Sequence, residues 1–445
     1  MAITKIKLAN FKSFEALEVD LRPLNIVVGG NAAGKSNFLE VFRFLRDLAA
    51  HGLQDAVSLQ GGMEYLTNLN IGPRQPVSLE VTFDFKIILP VALREHGLVS
   101  GKVFQSMYRL SFRSAPKGFE IETLTDELIH RCRFATRERD LGEGEVIVSS
   151  QGETFRYEIR PREILGDLGT NLLSAVQEKS SADAIVLGSG PEMLSNLPSE
   201  IGVFDFDPKL PKKASPLTGR TSLEPDGSNL AIVLRNILQD KDQAEVFVRI
   251  LKDALPFVDD LKVDKFADKS LLISLRERFA EKSYLPASFL SDGTLHLAAL
   301  ILALYFDKAA VTIIEEPERN IHPHLISKVV AMMQEASHRK QVIATTHNPE
   351  VVKNASLADL LFVRRDSRGF SRIERPSENA ELKVFLENDL GVDELYVQNL
   401  LDVLADVELS FRSREFGAEV VPLAGQRGHF DVVLLAAGPL PHGGL

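Results

Sequence analysis

Apolar and polar residues alternate along the first part of the chain, and this period changes at a glycine-rich stretch. Residues 6–8 and 17–21 alternate between apolar and polar, which predicts two strands. Residues 24–28 form a nearly continuous apolar run, as expected of a strand that is buried on both faces. From 36 to 48 the apolar residues recur at helical spacing, which predicts a helix that ends at Gly52.

From Val77 the period is two again, and this alternation recurs in several segments, which predicts an antiparallel β lobe over residues 76–165. Residues 166–225 are richer in Ser, Gly, Pro and Lys and show weak periodicity, which predicts a loop-rich insertion. Two helices and two strands are predicted next, over residues 229–238, 243–255, 261–263 and 271–275.

The last third of the chain alternates between predicted helices and strands. These elements cover residues 294–306, 311–314, 324–334, 341–345 and 360–363. Such alternation is typical of a mostly parallel sheet that is covered by helices. The pattern therefore divides the chain into a first head segment (1–75), the β lobe, the insertion, a second head segment (226–380), and a helical segment with a loose tail (381–445).

The composition is that of an ordinary globular protein, with 44% hydrophobic and 25% charged residues among 445. The single cysteine, Cys132, excludes an internal disulfide and a cysteine-based zinc site, and it fits a reducing cytoplasm. The N-terminus lacks the long apolar core of a secretory signal. The longest apolar run, 295–306, is shorter than the roughly 20 residues that a membrane-spanning helix needs. We expect a cytoplasmic protein without a membrane segment, in which this run is a buried helix.

The net charge of the chain limits which partners we expect. The formal net charge is -11, so the overall field repels nucleic acid, and DNA binding requires a local basic patch. Two basic clusters are candidates, with ordinary solvated loop surface as the alternative. They are Arg131, Arg133, Arg137 and Arg139, and Lys209, Lys212 and Lys213.

The strongest chemical motif directly follows the apolar strand 24–28. Residues 29–36 read Gly-Gly-Asn-Ala-Ala-Gly-Lys-Ser, fit the P-loop pattern and open the predicted helix. Because strand, loop and helix agree, a chance glycine-rich turn is the weaker alternative. In a P-loop, backbone N–H groups surround the phosphates, the lysine reaches the β- and γ-phosphates, and the hydroxyl coordinates Mg²⁺. The predicted nucleotide-binding residues here are Gly29, Gly30, Asn31, Ala32, Ala33, Gly34, Lys35, Ser36 and Asn37.

A second apolar strand, 311–314, delivers adjacent acidic residues at its carboxyl end. In P-loop ATPases one carboxylate at this place holds Mg²⁺, and a neighbouring one orients the attacking water. We assign Glu315, together with Ser36, to the metal, and Glu316 to the water. An acidic turn that caps the next helix is the alternative, and it suits Glu318 better than the adjacent pair.

Two further polar segments adjoin predicted elements. His347 follows the next apolar strand and is a candidate to reach the γ-phosphate or the attacking water, so it joins Lys35 and Glu316 as a catalytic candidate. A lone histidine is usually structural, but the other motifs favour a functional role for His347. Ser291 and Gly293 stand at the start of the long predicted helix, where serine is a common N-cap. The same features also make an anion site.

The order of these motifs resembles an ABC-type ATPase head. Residues 10–14, Asn-Phe-Lys-Ser-Phe, resemble the opening of RecF, SMC and OLD-nuclease ATPases. Residues 315–318 and 321–323 resemble the Glu-Pro-Glu and Leu-His-Pro segments of the RecF/OLD-like group of predicted AAA ATPases. The resemblance covers residues 1–70 and 225–400. It implies an α/β fold: a P-loop NTPase head of ABC type with a mostly parallel central sheet, an antiparallel β lobe and an inserted helical region.

The resemblance also implies ATP and Mg²⁺ as cofactors and a head-to-tail homodimer that forms on ATP. In that family the signature serine of one protomer contacts the γ-phosphate held by the other. Ser291 and Gly293 would then act in trans, and residues 319–323 would lie near the dimer interface.

Three features depart from that family. Glu315 stands where aspartate is commoner, which keeps the charge and lengthens the reach. The Q-loop glutamine has only Gln54 and Gln60 as weak candidates. Residues after His347 show no convincing pattern of the Toprim nuclease domain of OLD proteins, so nuclease activity is not expected.

Three functions are compatible with these features. The leading one is a molecular switch, in which Mg-ATP joins two heads, hydrolysis separates them, and the β lobe with the 165–225 region transmits the change to DNA or a partner protein. The second is the ATPase subunit of a bacterial defence or repair complex with a separate nuclease or toxin, an analogy at the level of the family. The third is a nucleotide-dependent scaffold with little turnover.

Overall fold

The computed structural model describes residues 2–84, 88–93, 97–116, 120–135, 140–151, 154–160, 200–217, 219–266, 270–280 and 282–378. All of these lie in the first of two compact units of the chain, residues 1–398. The helices are α1 (Lys35–His51), α2 (Leu53–Leu59), α3 (Met63–Leu66), α4 (Leu230–Gln239), α5 (Lys241–Ala254), α6 (Asp292–Ile301), α7 (Pro323–Ser337) and α8 (Pro349–Asn354). A π-helical turn, Leu302–Phe306, continues α6.

The central sheet is mostly parallel. Its strands are β3 (Leu24–Val28), β10 (Ile201–Phe204), β15 (Val311–Glu315), β16 (Gln341–Thr346), β17 (Leu360–Arg365) and β18 (Ser371–Glu374). They are ordered β10-β15-β16-β3-β17-β18, and only the β17–β18 pair is antiparallel. Every residue of β3 and β16 is buried, as expected of inner strands of a parallel sheet. Since β16 lies between β3 and β15, the carboxyl ends of these three strands meet at one edge.

The second sheet is antiparallel and has the order β2-β1-β4-β6-β7-β8-β9, with β5 paired to β6. Its strands are β1 (Ala2–Phe11), β2 (Phe14–Asp20), β4 (Val77–Asp84), β5 (Ile88–Leu93), β6 (Gly97–Ser114), β7 (Ile121–Ala135), β8 (Asp140–Gln151) and β9 (Thr154–Arg160). The two strands predicted nearest the N-terminus therefore join the β lobe, because their alternating pattern buries one face only.

A third, smaller antiparallel sheet accompanies α4 and α5. Its strands are β11 (Ser215–Pro216), β12 (Val258–Phe266), β13 (Ser270–Glu277) and β14 (Leu285–Pro286). Buried residues of α4, α5, β12 and β13 share one apolar core with α6, α7 and one face of the central sheet. The predicted α/β class, with a mostly parallel sheet, an antiparallel lobe and a helical region, is thus confirmed.

A buried glutamine joins the antiparallel sheet to the central sheet. Gln341 is 3% exposed and begins β16. Its side-chain oxygen accepts from the Ile3 N–H over 2.9 Å, and its amide nitrogen donates to the carbonyl oxygens of Ile3 (2.7 Å) and Arg22 (3.0 Å). A buried side chain whose hydrogen bonds are satisfied in this way fixes the junction of the two sheets.

Several expectations need correction or lie outside the described residues. Ile201–Phe204 is strand β10 of the central sheet, although residues 166–225 were expected to be a loop-rich insertion. Four residues that include a glycine are too few to show a period. Strand β18 was also not expected. The predicted helical segment and tail, 381–445, lie outside the described residues. No helix in the described part of the chain is long and apolar enough to cross a bilayer.

Candidate functional site

The P-loop connects β3 to α1. Its Gly34 caps α1 with a φ of 118°, a conformation that favours glycine. Lys35 is only 9% exposed, and its Nζ donates to the carbonyl oxygens of Gly29 (2.8 Å) and Gly30 (3.0 Å). Burial lowers the pKa of Lys35, and the charges of the glutamates within 315–318 oppose that shift. The lysine therefore lies inside the loop, within electrostatic reach of the acidic strand end.

Residues distant in sequence hold the P-loop in place. Ser371, in β18, donates from its Oγ to the Ala33 carbonyl oxygen over 2.6 Å and lies 2.8 Å from the Ser13 Oγ. A Cβ atom on Gly34 would lie 2.2 Å from the Ser371 Oγ. Glycine is therefore needed at this position for space as well as for its positive φ.

Glu315 ends β15 at the same edge of the central sheet. Its Oε1 lies 3.4 Å from the Arg43 Nη2. Burial raises the pKa of Glu315; the charge of Arg43 opposes this shift, whereas the charges of Asp205 and Glu40 add to it. Several carboxylates thus crowd a partly buried place, and a cation there would relieve their repulsion.

The donor set at this edge fits Mg²⁺. Magnesium prefers oxygen ligands and is commonly held by one or two carboxylates together with substrate phosphates. Glu315 supplies a carboxylate, and Ser36 supplies a hydroxyl at the start of α1. Within the described residues, no group of three or more His, Cys, Asp or Glu side chains could hold a metal by itself. Phosphate and water oxygens would therefore have to complete the coordination.

Glu316 and His347 are in direct contact. The His347 Nδ1 lies 2.7 Å from the Glu316 Oε1. The Glu316 Oε2 lies 3.3 Å from both the Nε and the Nη2 of Arg319. Glu316 also has a φ of 44°, and its N–H donates to the Thr345 carbonyl oxygen over 3.1 Å. Such backbone strain in a non-glycine residue concentrates at functional sites.

Glu318 is a buried residue. It is 6% exposed, and its Oε1 accepts from the Thr346 Oγ1 over 2.5 Å. Its Oε2 has no hydrogen-bond partner among the described residues, and burial raises its pKa. The suggestion that Glu318 caps the next helix is therefore wrong, because the side chain turns inward and His322 takes the cap position of α7.

The signature segment caps α6 and packs against the turn that follows the acids. Ser291 accepts from the Thr294 N–H over 3.1 Å, as an N-cap does. A Cβ atom on Gly293 would lie 2.6 Å from the Asn320 carbonyl oxygen. One turn further on, the His296 Nε2 lies 3.0 Å from the Pro317 carbonyl oxygen. Helix α6 and the turn 316–321 are therefore in close contact.

Two protein-family models match the chain, one on each side of residues 140–197. "AAA ATPase domain" matches residues 1–139, which include the P-loop. "AAA domain, putative AbiEii toxin, Type IV TA system" matches residues 198–353, which include the signature, both acids and His347. The P-loop and the acidic strand end thus each lie in a segment that matches an ATPase-domain model.

Curated relatives point the same way. Over 87 residues the chain is 36% identical to the DNA replication and repair protein RecF of Heliobacterium modesticaldum, covering 19% of this chain and 23% of that protein. Over 66 residues it is 44% identical to RecF of Desulforudis audaxviator, covering 14% of this chain and 18% of the relative. The chain thus spans less than a quarter of the length of each of these relatives. The family models and these relatives support an ABC-type ATPase that resembles RecF.

Solved structures similar to this chain include SMC heads. An SMC head bound to the C-winged helix domain of ScpA is 16% identical, with 84% of this chain and 98% of that chain covered and a TM-score of 0.46. The SMC head domain from Thermotoga maritima is 14% identical, with 84% and 99% covered and a TM-score of 0.39.

The sequence patterns did not point to two residues of the candidate site. Asp205 follows β10, and its Oδ1 lies 2.7 Å from the Nη1 of Arg319. Arg319 was expected only as part of an interface loop. A basic residue three positions after Glu316 was the available signal. Of the weak Q-loop candidates, Gln60 donates to the Glu40 Oε2 over 2.9 Å, which ties it to α1.

Some cations in both candidate basic patches are paired with acids. Arg131 pairs with Glu145 (3.1 Å) and Arg133 with Asp140 (2.7 Å). Lys212 pairs with Asp292 over 2.5 Å. The remaining two arginines of the first patch, at 137 and 139, lie outside the described residues. Paired cations attract phosphate less than free ones, so these patches offer weak support for DNA binding.

Proposed function

We propose that this ATPase binds Mg-ATP at the carboxyl edge of the central sheet and transfers the γ-phosphoryl group to water. The observation that carries this proposal is the 2.7 Å contact between His347 and Glu316, on turns that follow adjacent parallel strands. The P-loop follows β3, the other neighbour of β16. The three candidate catalytic residues thereby stand along one short edge.

Each group at this edge has a chemical role in the proposal. Backbone N–H groups of the P-loop and the N-terminus of α1 bind the phosphates. Lys35 exchanges its two carbonyl contacts for the β- and γ-phosphate oxygens. Glu316 orients the attacking water and accepts its proton, and His347 keeps that carboxylate in place beside the γ-phosphate.

Ser36 and Glu315 would hold the magnesium ion, which supplies neutralisation of the phosphate charge when it is bound. Burial and the neighbouring acids raise the pKa of Glu315, so its ionised form gains from a nearby cation. When no magnesium is bound, Arg43, which lies 3.4 Å from this carboxylate, balances part of its charge.

The proposed working form is a head-to-tail homodimer in which ATP joins the protomers. Ser291 and Gly293 of one protomer would contact the γ-phosphate held by the other. The N-cap geometry of Ser291 supports this role, because it stands at the positive end of α6. Hydrolysis would then part the heads, and the antiparallel sheet would pass the change to a partner.

A protein partner is favoured over DNA as the receiver of that change. The net charge is -11, and the described arginines of the first basic patch are already paired with acids. Both features weaken attraction to phosphate backbones. A role as the ATPase subunit beside a separate nuclease or toxin is therefore the second candidate.

The binding test compares Lys35→Ala with Lys241→Ala, a control at an exposed lysine at the start of α5. Equilibrium binding of a fluorescent ATP analogue with Mg²⁺ should be lost in the first variant and unchanged in the second. Normal Mg-ATP binding by Lys35→Ala would refute the assigned site.

The turnover test uses Glu316→Gln, which should bind ATP, release phosphate at least about a hundredfold more slowly and accumulate as a dimer on sizing chromatography. A monomer under saturating Mg-ATP would refute the dimer. Wild-type turnover in this variant would refute the role of Glu316.

A further inference from the structure

Glu316 is held by an arginine that is itself anchored to a different strand. Arg319 directs Nε and Nη2 toward the Glu316 Oε2, at 3.3 Å each, and Nη1 toward the Asp205 Oδ1, at 2.7 Å. The guanidinium group is planar and presents its donors in a fixed fork. Fixing one edge of it on Asp205 therefore fixes the direction of the other edge.

The anchor belongs to the central sheet. Strand β10 pairs with β15 in parallel, with Phe204 level with Ile314, so Asp205 leaves the sheet level with Glu315. The backbone of Asp205 is also tied down, because its N–H donates to the Pro225 carbonyl oxygen over 2.8 Å. The position of Asp205 is thus fixed by the pairing of β10 with β15 and by the segment around Pro225. It does not depend on the turn that carries Glu316 and Arg319.

The turn itself supplies only part of the constraint on Glu316. The Arg319 N–H donates to the Glu316 carbonyl oxygen over 2.9 Å, which closes the turn. That bond fixes the backbone but leaves the glutamate side chain free to rotate. His347 contacts one carboxylate oxygen, and Arg319 contacts the other. The Oε2 accepts from both the Nε and the Nη2 of Arg319, whereas the Oε1 has one contact, with His347, and so keeps a second lone pair for a water.

These ion pairs are poorly suited to stabilising the fold. The side chains are 37% exposed for Arg319, 43% for Asp205 and 26% for Glu316. Ion pairs of this exposure contribute little to folding stability. Their value lies in geometry, since a small displacement of a catalytic group has a large effect on rate.

We propose that Arg319 is a positioning residue for the hydrolytic water, and that Asp205 acts through it by fixing the guanidinium group against Glu316. This inference rests on the proposed function, because Glu316 must be the group that orients water. It adds two residues to the site, and both act through the Glu316 side chain.

The experiment measures kcat, KM and thermal stability of the full chain with Arg319→Ala, Arg319→Lys and Asp205→Asn. Arg276→Ala is the matched control, because Arg276 forms a similar 2.7 Å pair with Asp259 away from the site. Arg319→Ala should lower kcat by about tenfold to a hundredfold, with KM and melting temperature close to those of the control. Arg319→Lys keeps the charge without the fork and should recover part of the loss.

Asp205→Asn should give a smaller fall in kcat, and the double variant with Arg319→Ala should be no slower than Arg319→Ala alone. Wild-type kcat in Arg319→Ala, or multiplied losses in the double variant, would overturn the inference. If Glu316→Gln is inactive in that case, the proposed function survives and only the positioning role falls. If Glu316→Gln turns over normally, both fall.

Discussion

Gly293 offers a test of the contact between α6 and the turn that follows the acids. It lies in the first turn of α6, and a Cβ atom there would meet the Asn320 carbonyl oxygen at 2.6 Å. The obstacle is backbone, and it belongs to the turn that carries Glu316. Replacing Gly293 by alanine therefore pushes on the turn that carries the candidate catalytic carboxylate.

Two opposing effects set the outcome of this substitution. Alanine is favoured over glycine in a helix by about 1 kcal/mol. Against this, the Asn320 carbonyl oxygen must retreat from 2.6 Å to the ordinary contact distance of 3.4 Å, and overpacking of this kind costs about 1–3 kcal/mol. The contact therefore outweighs or cancels the propensity, and Gly293→Ala should lose roughly 0–2 kcal/mol of stability.

The assay is urea unfolding together with steady-state phosphate release. Gly219→Ala is the control, because its Cβ would meet only the side-chain end of Ile232, at 3.2 Å, which can turn aside. We expect Gly293→Ala to be no more stable than the wild type and to have a reduced kcat, with the control unchanged in kcat. A gain of about 1 kcal/mol in Gly293→Ala would show that propensity acts unopposed, and the packing of α6 on the turn would be refuted.

Three further outcomes follow from buried groups. Burial lowers the pKa of His296 from 6.5 to about 4. Between these two pH values the unfolded chain binds a proton that the folded chain does not, so the free energy of unfolding falls as the pH drops from 6.5 to 4. Urea unfolding at several pH values should show that His296→Phe lacks this contribution, which is on the order of 3 kcal/mol. Burial raises the pKa of Cys132 to about 12, so thiol reagents at pH 8 should label it only after unfolding, and rapid native labelling would contradict its burial. Ser371→Ala removes the bond to Ala33 and should weaken ATP affinity by about two- to tenfold in equilibrium binding, whereas unchanged affinity would mean that the P-loop holds its shape unaided.

The sequence predicted the strands and the helix that carry the site because their signals are local. β3 is an unbroken apolar run, and the helical spacing after it marks α1 up to Gly52, whose N–H donates to the Leu48 carbonyl oxygen over 2.9 Å. Glu316 and His347 each follow a predicted strand of a parallel sheet, so a shared edge was expected. Their contact of 2.7 Å could not be predicted, because it depends on β15 and β16 being neighbours.

What the sequence did not predict depends on partners far away in the chain. Ser371 reaches Ser13 across 358 positions, and no period or motif signals such a pairing. β10 has four residues, too few for a pattern, so Asp205 was not recognised as the residue at a strand end. Arg319 lies in the predicted interface loop, but the sequence did not indicate its contacts with two acids. The contact with Asp205 depends on β10 pairing with β15.

The bond between Ser371 and the P-loop has a consequence for how the protein is made. On the ribosome, residues 29–36 emerge early, yet the hydroxyl that braces them is synthesised more than three hundred residues later. Both strands that pair with β3, β16 and β17, are also synthesised much later than β3 itself. A nascent chain should therefore bind nucleotide more weakly until β18 has left the exit tunnel, so ATP should contribute less to the folding of the N-terminal part before that moment.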